Sequence, residues 1–349
     1  MRVLVVDDSG FMRRAISQIL ASEPGIEVLD TARNGAEAIQ KIKALKPDVV
    51  TLDIEMPQMD GLAALQAIMK ECPTPVVMCS SLTTEGSAAA LKALKLGAVD
   101  CIAKDHSTVS FKMDEMRADL IAKVKAAAEA RIPGRSRDAR STASPEDPLP
   151  ALSPARVGLV VIGSSTGGPP VLETIIQALP RDLRTPVVIA QHMPLLFTKL
   201  FAKHLADTSA VHVVHAENGM PLREGTVHLL PGGTHGRVRS RAGRLHVETG
   251  DDPPGYFFKP SVDELMLSSA DAAGDRTLGV MLTGIGNDGL KGARQIVARG
   301  GKLVTQAEAT CVVYGMPKVV VDAGLSSARL TPERIAALLR TLRAGAVAA

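Results

Sequence analysis

Short runs of β-branched residues alternate with helical spacing through the first hundred residues. Val3 to Val6 reads as a strand, and Phe11, Ala15 and Ile19 then fall on one helical face. Asp48 to Asp53 reads as another strand, followed by Leu62, Leu65 and Met69 at helical spacing. Pro75 to Ser80 and Val99 to Ala103 continue the alternation. Repeated βα units of this kind predict a parallel sheet covered by helices on both faces. A last helix over about 110–130 carries Met113, Met116, Leu120 and Val124 on one side.

The pattern stops at Arg131. From there to Arg156 the chain is rich in Pro, Ser, Arg and Asp without a periodic apolar face, which reads as a solvated linker. From Val157 a second βα series begins with VGLVVIG, a helix carrying Val171, Leu172, Ile175 and Leu179, and then PVVIAQ. A Gly- and His-rich stretch over about 219–254 has the pattern of antiparallel hairpins, and TLGVMLTG and GKLVTQ read as further buried strands. The expected organisation is one α/β domain over 1–106, extended by the 110–130 helix, a linker over 131–156, and a second α/β domain over 157–349.

Composition agrees. A length of 349 residues suits two domains, and 46% hydrophobic against 22% charged residues allows both to bury cores. Forty basic residues balance 37 acidic ones, Trp is absent and aromatics are 2%, so a nucleic-acid partner is not expected. Four cysteines without a C-x-x-C pair speak against a metal cluster or a disulfide framework. Cys79 and Cys101 lie in apolar runs and read as small buried hydrophobes. The opening MRVLVVDD is unlike a signal peptide, and no apolar run approaches the ~20 residues of a membrane helix. A cytoplasmic protein is expected.

Candidate chemistry gathers at strand ends. Asp7 and Asp8 close the first strand and Asp53 closes a later one, where parallel α/β sheets carry their functional groups. Three converging carboxylates repel unless a hard cation sits among them, and oxygen-only ligation suits Mg²⁺. Ser80 and Lys104 close the fourth and fifth strands, where a hydroxyl and an ammonium can contact a phosphoryl group on Asp53. Any one of these residues alone is better read as a solvated polar group; the ordered set is not. On these residues the first ~105 positions resemble the receiver domains of two-component response regulators. The resemblance implies a flavodoxin-like fold with a five-stranded parallel sheet, Mg²⁺ held by Asp7, Asp8 and Asp53, and phosphorylation of Asp53 by a histidine kinase. Two departures stand out: Asp105 follows Lys104 where receivers usually have Pro, and Cys101 stands where many have an aromatic switch residue.

In the second half, VGLVVIG leads into Gly163-Ser164-Ser165-Thr166-Gly167 and a helix opening at Pro169 and Pro170. That is G-x-S-x-G in its required setting of strand, tight turn and helix. The helix start would supply amide dipoles to an oxyanion. A phosphate loop is the rival reading, but the P-loop Lys is missing. A serine nucleophile needs a base. His192, directly after PVVIAQ, is the first choice and His235 the second; His204, His212, His215 and His246 read as surface or core residues. Asp288 in LTGIGNDG would orient the base. The same loop, Gly284-x-Gly286-x-x-Gly289 with Glu308 about 20 residues on, also fits a dinucleotide fingerprint, so an NAD(P)-dependent oxidoreductase is the alternative.

The stretches GSSTGGP, IAQHMP, LPGGTH, MLTGIGNDG and TCVVYGMPK resemble the CheB family of chemotaxis protein-glutamate methylesterases. The resemblance implies a doubly wound, mostly parallel α/β esterase domain with a β-hairpin insertion. Ser165 would be the nucleophile, His192 the general base and acid, and Asp288 its orienting group. The main-chain amide of Ile285 would serve as an oxyanion donor, Thr166 would shape the site, and the esterase domain would need no cofactor. It further implies demethylation of glutamyl methyl esters on chemoreceptors, deamidation of receptor glutamines, activation by phosphorylation, and recruitment to receptor arrays without membrane insertion. A non-catalytic chemosensory adaptor is the remaining alternative.

Overall fold

The computed structural model describes residues 1–81, 83–104, 110–132, 147–150, 157–251 and 258–342, leaving aside the side chains of 110–115. The expected linker falls largely outside the described residues, as does Asp105. The chain divides into two units, Met1–Ala139 and Arg140–Ala349.

In the first unit, strands β1 (Arg2–Val6), β2 (Glu27–Ala32), β3 (Val49–Asp53), β4 (Val76–Ser81) and β5 (Asp100–Lys104) alternate with helices. The helices are α1 (Gly10–Ala21), α2 (Gly35–Leu45), α3 (Gly61–Glu71), α4 (Thr84–Lys95) and α5 (Ser110–Glu129). All five strands are parallel, in the order β2-β1-β3-β4-β5, as the alternation predicts. Side-chain oxygens of Ser9, Asn34, Asp60 and Thr83 accept first-turn amides and start α1 to α4, satisfying donors a helix N-terminus otherwise leaves unpaired.

The buried face of α1 differs from the expected one. Ile16 and Leu20 enter the core, whereas Phe11 is 72% exposed. Positions 11, 15, 19 and 12, 16, 20 are both apolar at helical spacing, and the second set buries two large aliphatic side chains where the first offers Ala15. On α5, Leu120 and Val124 are buried as expected. Beside them buried Lys123 donates to the carbonyl oxygen of Cys101 at 2.9 Å and pairs with Asp119 at 3.0 Å.

The second unit holds strands β6 (Leu159–Ser164), β7 (Val187–Gln191), β8 (His212–His215), β9 (Thr226–Leu229), β10 (His235–Arg241), β11 (Arg244–Gly250), β12 (Thr277–Met281), β13 (Lys302–Gln306) and β14 (Arg329–Leu330). Its helices are α6 (Gly168–Gln177), α7 (Leu195–Thr208), α8 (Val262–Ala273), α9 (Leu290–Ala298), α10 (Met316–Asp322) and α11 (Pro332–Arg340). Seven strands form one parallel sheet in the order β14-β13-β12-β6-β7-β9-β8. The chain moves outward from β6 to one side and returns to β12 on the other. β6 and β12 therefore flank a topological switch point, where loops at the carboxyl ends open a crevice.

Among the described residues of the middle stretch there is one strand hairpin, β10–β11, rather than several. Thr226–Leu229 is a parallel strand of the main sheet, buried along its whole length. Its His228 is accommodated in the interior, with Nδ1 3.3 Å from the Val187 carbonyl oxygen. Part of the expected linker is also held: Asp147 accepts the amide, Nε and Nη2 of Arg329 at 2.8–2.9 Å.

Candidate functional site

β6 ends at Ser164, and the turn after it requires glycine twice. Gly167 has φ +75°, and a Cβ on Gly168 would lie 2.0 Å from Ser164 Oγ. The Ser165 amide donates to the Thr283 carbonyl oxygen at 3.0 Å, and the Gly168 amide donates to that of Ser165 at 2.9 Å. Gln191, the last residue of β7, donates from Nε2 to the Ser165 carbonyl oxygen at 2.9 Å. Three strands thus fix the Ser165 backbone.

His192 follows β7, and its Nδ1 lies 3.0 Å from Ser165 Oγ. The other ring nitrogen, Nε2, lies 2.9 Å from Asp288 Oδ2. A carboxylate partner requires Nε2 to carry the proton, which leaves the Nδ1 lone pair facing the serine hydroxyl. Ser165 and His192 are both buried, at 3% and 8% exposure. Phe258 stacks on the imidazole with ring centroids 4.2 Å apart and planes 13° from parallel, restricting the ring to this orientation.

Asp288 is gripped by the start of α8. Its Oδ1 accepts Ser261 Oγ–H and the Asp263 amide, both at 2.9 Å, and its Oδ2 accepts the Val262 amide at 2.7 Å beside His192. Burial works against the charge, but His192 and the Asp263 and Val262 amides hold this carboxyl below its ordinary range.

The start of α6 is a poorer anion site than the sequence suggested. Its Gly168 amide is bonded to Ser165, and Pro169 and Pro170 have no N–H. Ile285 is partly buried on the loop that carries Asp288, and among the described residues its amide meets no acceptor. Thr166 is 1% exposed and its carbonyl oxygen accepts Thr283 Oγ1–H. Two glycines of this loop make close packing contacts. A Cβ on Gly284 would lie 2.7 Å from Ser165 Cβ, and one on Gly289 would lie 2.4 Å from Met281 Cε. The second-choice base, His235, does not reach Ser165; its Nδ1 accepts the Ser261 amide at 3.3 Å.

In the first unit, Lys104 Nζ lies 2.6 Å from Asp53 Oδ1 and 2.7 Å from Asp7 Oδ2. Burial pushes the Asp53 carboxyl up to about 6 despite that ammonium. Burial also works against the Lys104 charge, yet Asp53 and Asp7 hold its pKa above the ordinary lysine value. One oxygen from each of Asp7, Asp8 and Asp53 falls within 4.8 Å of the others. Three carboxylates with no nitrogen or sulfur donor suit a hard divalent cation such as Mg²⁺. Ser80 is not gathered in: its Oγ–H donates to the Gly86 carbonyl oxygen at 2.8 Å.

The sequence reading missed Phe258, Ser261 and Gln191. Only Ser261 carried a signal, since Ser261-Val262-Asp263-Glu264 has the S-x-x-E pattern of a capping box.

Residues 160–339 match the CheB methylesterase family model, and residues 3–114 match that of the response regulator receiver domain. The chain is 48% identical to protein-glutamate methylesterase/protein-glutamine glutaminase 1 of Oleidesulfovibrio alaskensis, over 93% of this chain and 94% of that protein. It is 42% identical to the protein of the same description from Pyrococcus horikoshii, over 93% and 88% of the two chains. The crystal structure of the Thermotoga maritima CheB methylesterase catalytic domain matches with a TM-score of 0.52 and 37% identity, covering 53% of this chain and 98% of that one.

Proposed function

The chain belongs to the CheB methylesterase family and carries a response-regulator receiver domain, and from that premise we propose that it is a phosphorylation-activated esterase. Its substrates are γ-glutamyl methyl esters on chemotaxis receptors, and it also deamidates receptor glutamines. The observation that carries this reading is the pair of contacts Ser165 Oγ–His192 Nδ1 and His192 Nε2–Asp288 Oδ2, at 3.0 and 2.9 Å.

In this reading His192 Nδ1 takes the Ser165 proton as Oγ attacks the ester carbonyl, with Asp288 stabilising the imidazolium that forms. The Ile285 amide donates to the oxyanion, and Thr166 shapes the wall beside it. Collapse of the tetrahedral adduct transfers the proton from Nδ1 to the departing methoxide, giving methanol. Water then attacks the acyl-enzyme, again deprotonated by His192, and releases the glutamate carboxylate and Ser165 hydroxyl. A glutamine side chain follows the same course with ammonia as the leaving group.

In the receiver, Asp53 accepts a phosphoryl group from a chemosensory histidine kinase. Lys104 Nζ, 2.6 Å from Asp53 Oδ1, and the Ser80 hydroxyl, released from Gly86, would contact that group. Asp7, Asp8 and Asp53 would hold Mg²⁺, which when bound neutralises charge on the phosphoryl oxygens. Among the described residues no helix is long and apolar enough to cross a membrane.

The test is methanol release from methylated receptor membranes, with and without a small phosphodonor and Mg²⁺. The expected results are release by the wild type, loss in Ser165→Ala, and stimulation that disappears in Asp53→Ala. Release unaffected by Ser165→Ala would remove the esterase reading. Equal rates with and without the donor would remove the phosphorylation switch.

A further inference from the structure

The esterase reading leaves unexplained why a buried histidine and a hairpin stand behind the orienting carboxylate. His235, at the first position of β10, is fully buried. Its Nδ1 accepts the amide of Ser261, the residue whose hydroxyl caps α8 and donates to Asp288. Two further bonds tie the same strand to the same helix. Arg237 Nε donates to Glu264 Oε2 at 2.6 Å, and the Val238 amide donates to Ser268 Oγ at 3.1 Å. Positions 261, 264 and 268 lie on one side of α8, so β10 grips that helix along a single stripe.

We propose that His235 is a positioning residue for the esterase reaction: it seats the first turn of α8, and through it the Asp288 carboxylate against His192. The proposal rests on the Ser165–His192–Asp288 reading above. Three of the four hydrogen bonds that Asp288 accepts come from residues 261 to 263, so displacement of this turn moves the carboxylate directly. An accepting Nδ1 requires a neutral imidazole. Burial and the nearby cations Lys259 and Arg237 keep it so, against Glu264 and Asp288, which face it with the opposite sign.

Two amide variants separate positioning from general packing. The Oδ1 of Asn takes the place of Nδ1, while the Oε1 of Gln takes the place of Nε2. In the full chain on methylated receptor membranes, His235→Gln is expected to lower kcat about tenfold with KM within twofold. His235→Asn should stay within about threefold of wild type. Labelling of Ser165 by a fluorophosphonate should slow by the same factor as kcat in each variant. The proposal is overturned if His235→Gln keeps wild-type kcat, if His235→Asn is as impaired as His235→Gln, or if the loss falls on KM alone. A wild type that releases no methanol removes the esterase reading itself; an active wild type whose two variants behave alike removes only the role of His235.

Discussion

Asp53, the last residue of β3, and Asp288, in the loop after β12, both lie at the carboxyl edge of a parallel sheet, yet their surroundings treat charge in opposite ways. Asp288 receives three donors from the start of α8 as well as His192, and its carboxyl is held below the ordinary range. Asp53 is buried with one ammonium and a second carboxylate nearby, and its carboxyl is pushed up to about 6. The first is a fixture whose ionised form is built into the fold. The second has fewer donors for its charge, as the proposed phosphorylation of Asp53 would require. Position along a strand selects which residues meet; the count of donors around them selects what they do.

The largest way to break this contrast is to neutralise the fixture. Asp288→Asn removes the acceptor that keeps the proton on Nε2, so the Nδ1–H tautomer faces Ser165 and cannot take its proton. The kcat for methanol release should fall roughly a thousandfold with little change in KM. A loss below tenfold would mean that Asp288 does not set the tautomer of His192.

A second test uses the glycine beneath each site. A Cβ on Gly61 would lie 2.0 Å from the Asp53 carbonyl oxygen, which is backbone and cannot step aside. At Gly284 the nearest obstruction is the Met316 sulfur at 2.3 Å, on a flexible side chain, with Ser165 Cβ next at 2.7 Å. Gly61→Ala should therefore destabilise the receiver by about 3 kcal/mol in a calorimetric scan. Gly284→Ala should cost less stability, about 1–2 kcal/mol, and more kcat, because it displaces Ser165.

The smallest effect is also the most diagnostic in sign. A carboxyl raised to about 6 binds more protons folded than unfolded between about pH 4 and 6, so stability falls as pH rises through that window. In chelator, Asp53→Asn should raise the receiver's unfolding free energy at pH 8 by on the order of 1–2 kcal/mol, after allowance for solvent screening, and gain nothing below about pH 4. Asp288 has the reverse linkage: its contribution is present above the ordinary Asp pKa and lost as pH falls through the depressed one. Asp288→Asn should lower the midpoint of its unit at pH 8. Equal signs for the two variants would undo the contrast.

Much of this was legible in the chain because parallel sheets convert sequence order into spatial convergence. Ser165, His192 and Asp288 each follow a recognisable buried strand, so the sheet edge brings them together. Side-chain direction was not legible. Ser80 lies one residue short of the end of its strand, which Ser81 closes, and its hydroxyl turns to Gly86. Helix phase failed at α1, where two apolar series run side by side and only packing volume decides between them. Strand pairing failed at Thr226–Leu229, which the Gly- and His-rich pattern put among antiparallel hairpins and which instead joins the parallel sheet, since a short strand carries no signal for the direction of its neighbours. Phe258 had no signal at all, because a single aromatic in a loop has no periodicity to betray its target.

The central claim, that Asp288 and His192 together activate Ser165, is tested most directly by active-site labelling. The full chain is treated with a fluorophosphonate and the adduct located by peptide mass spectrometry, comparing wild type with His192→Gln and Asp288→Asn. The account predicts one adduct, on Ser165, formed at least a hundredfold more slowly in both variants. An adduct elsewhere, or labelling of Ser165 at the wild-type rate without His192, would contradict it.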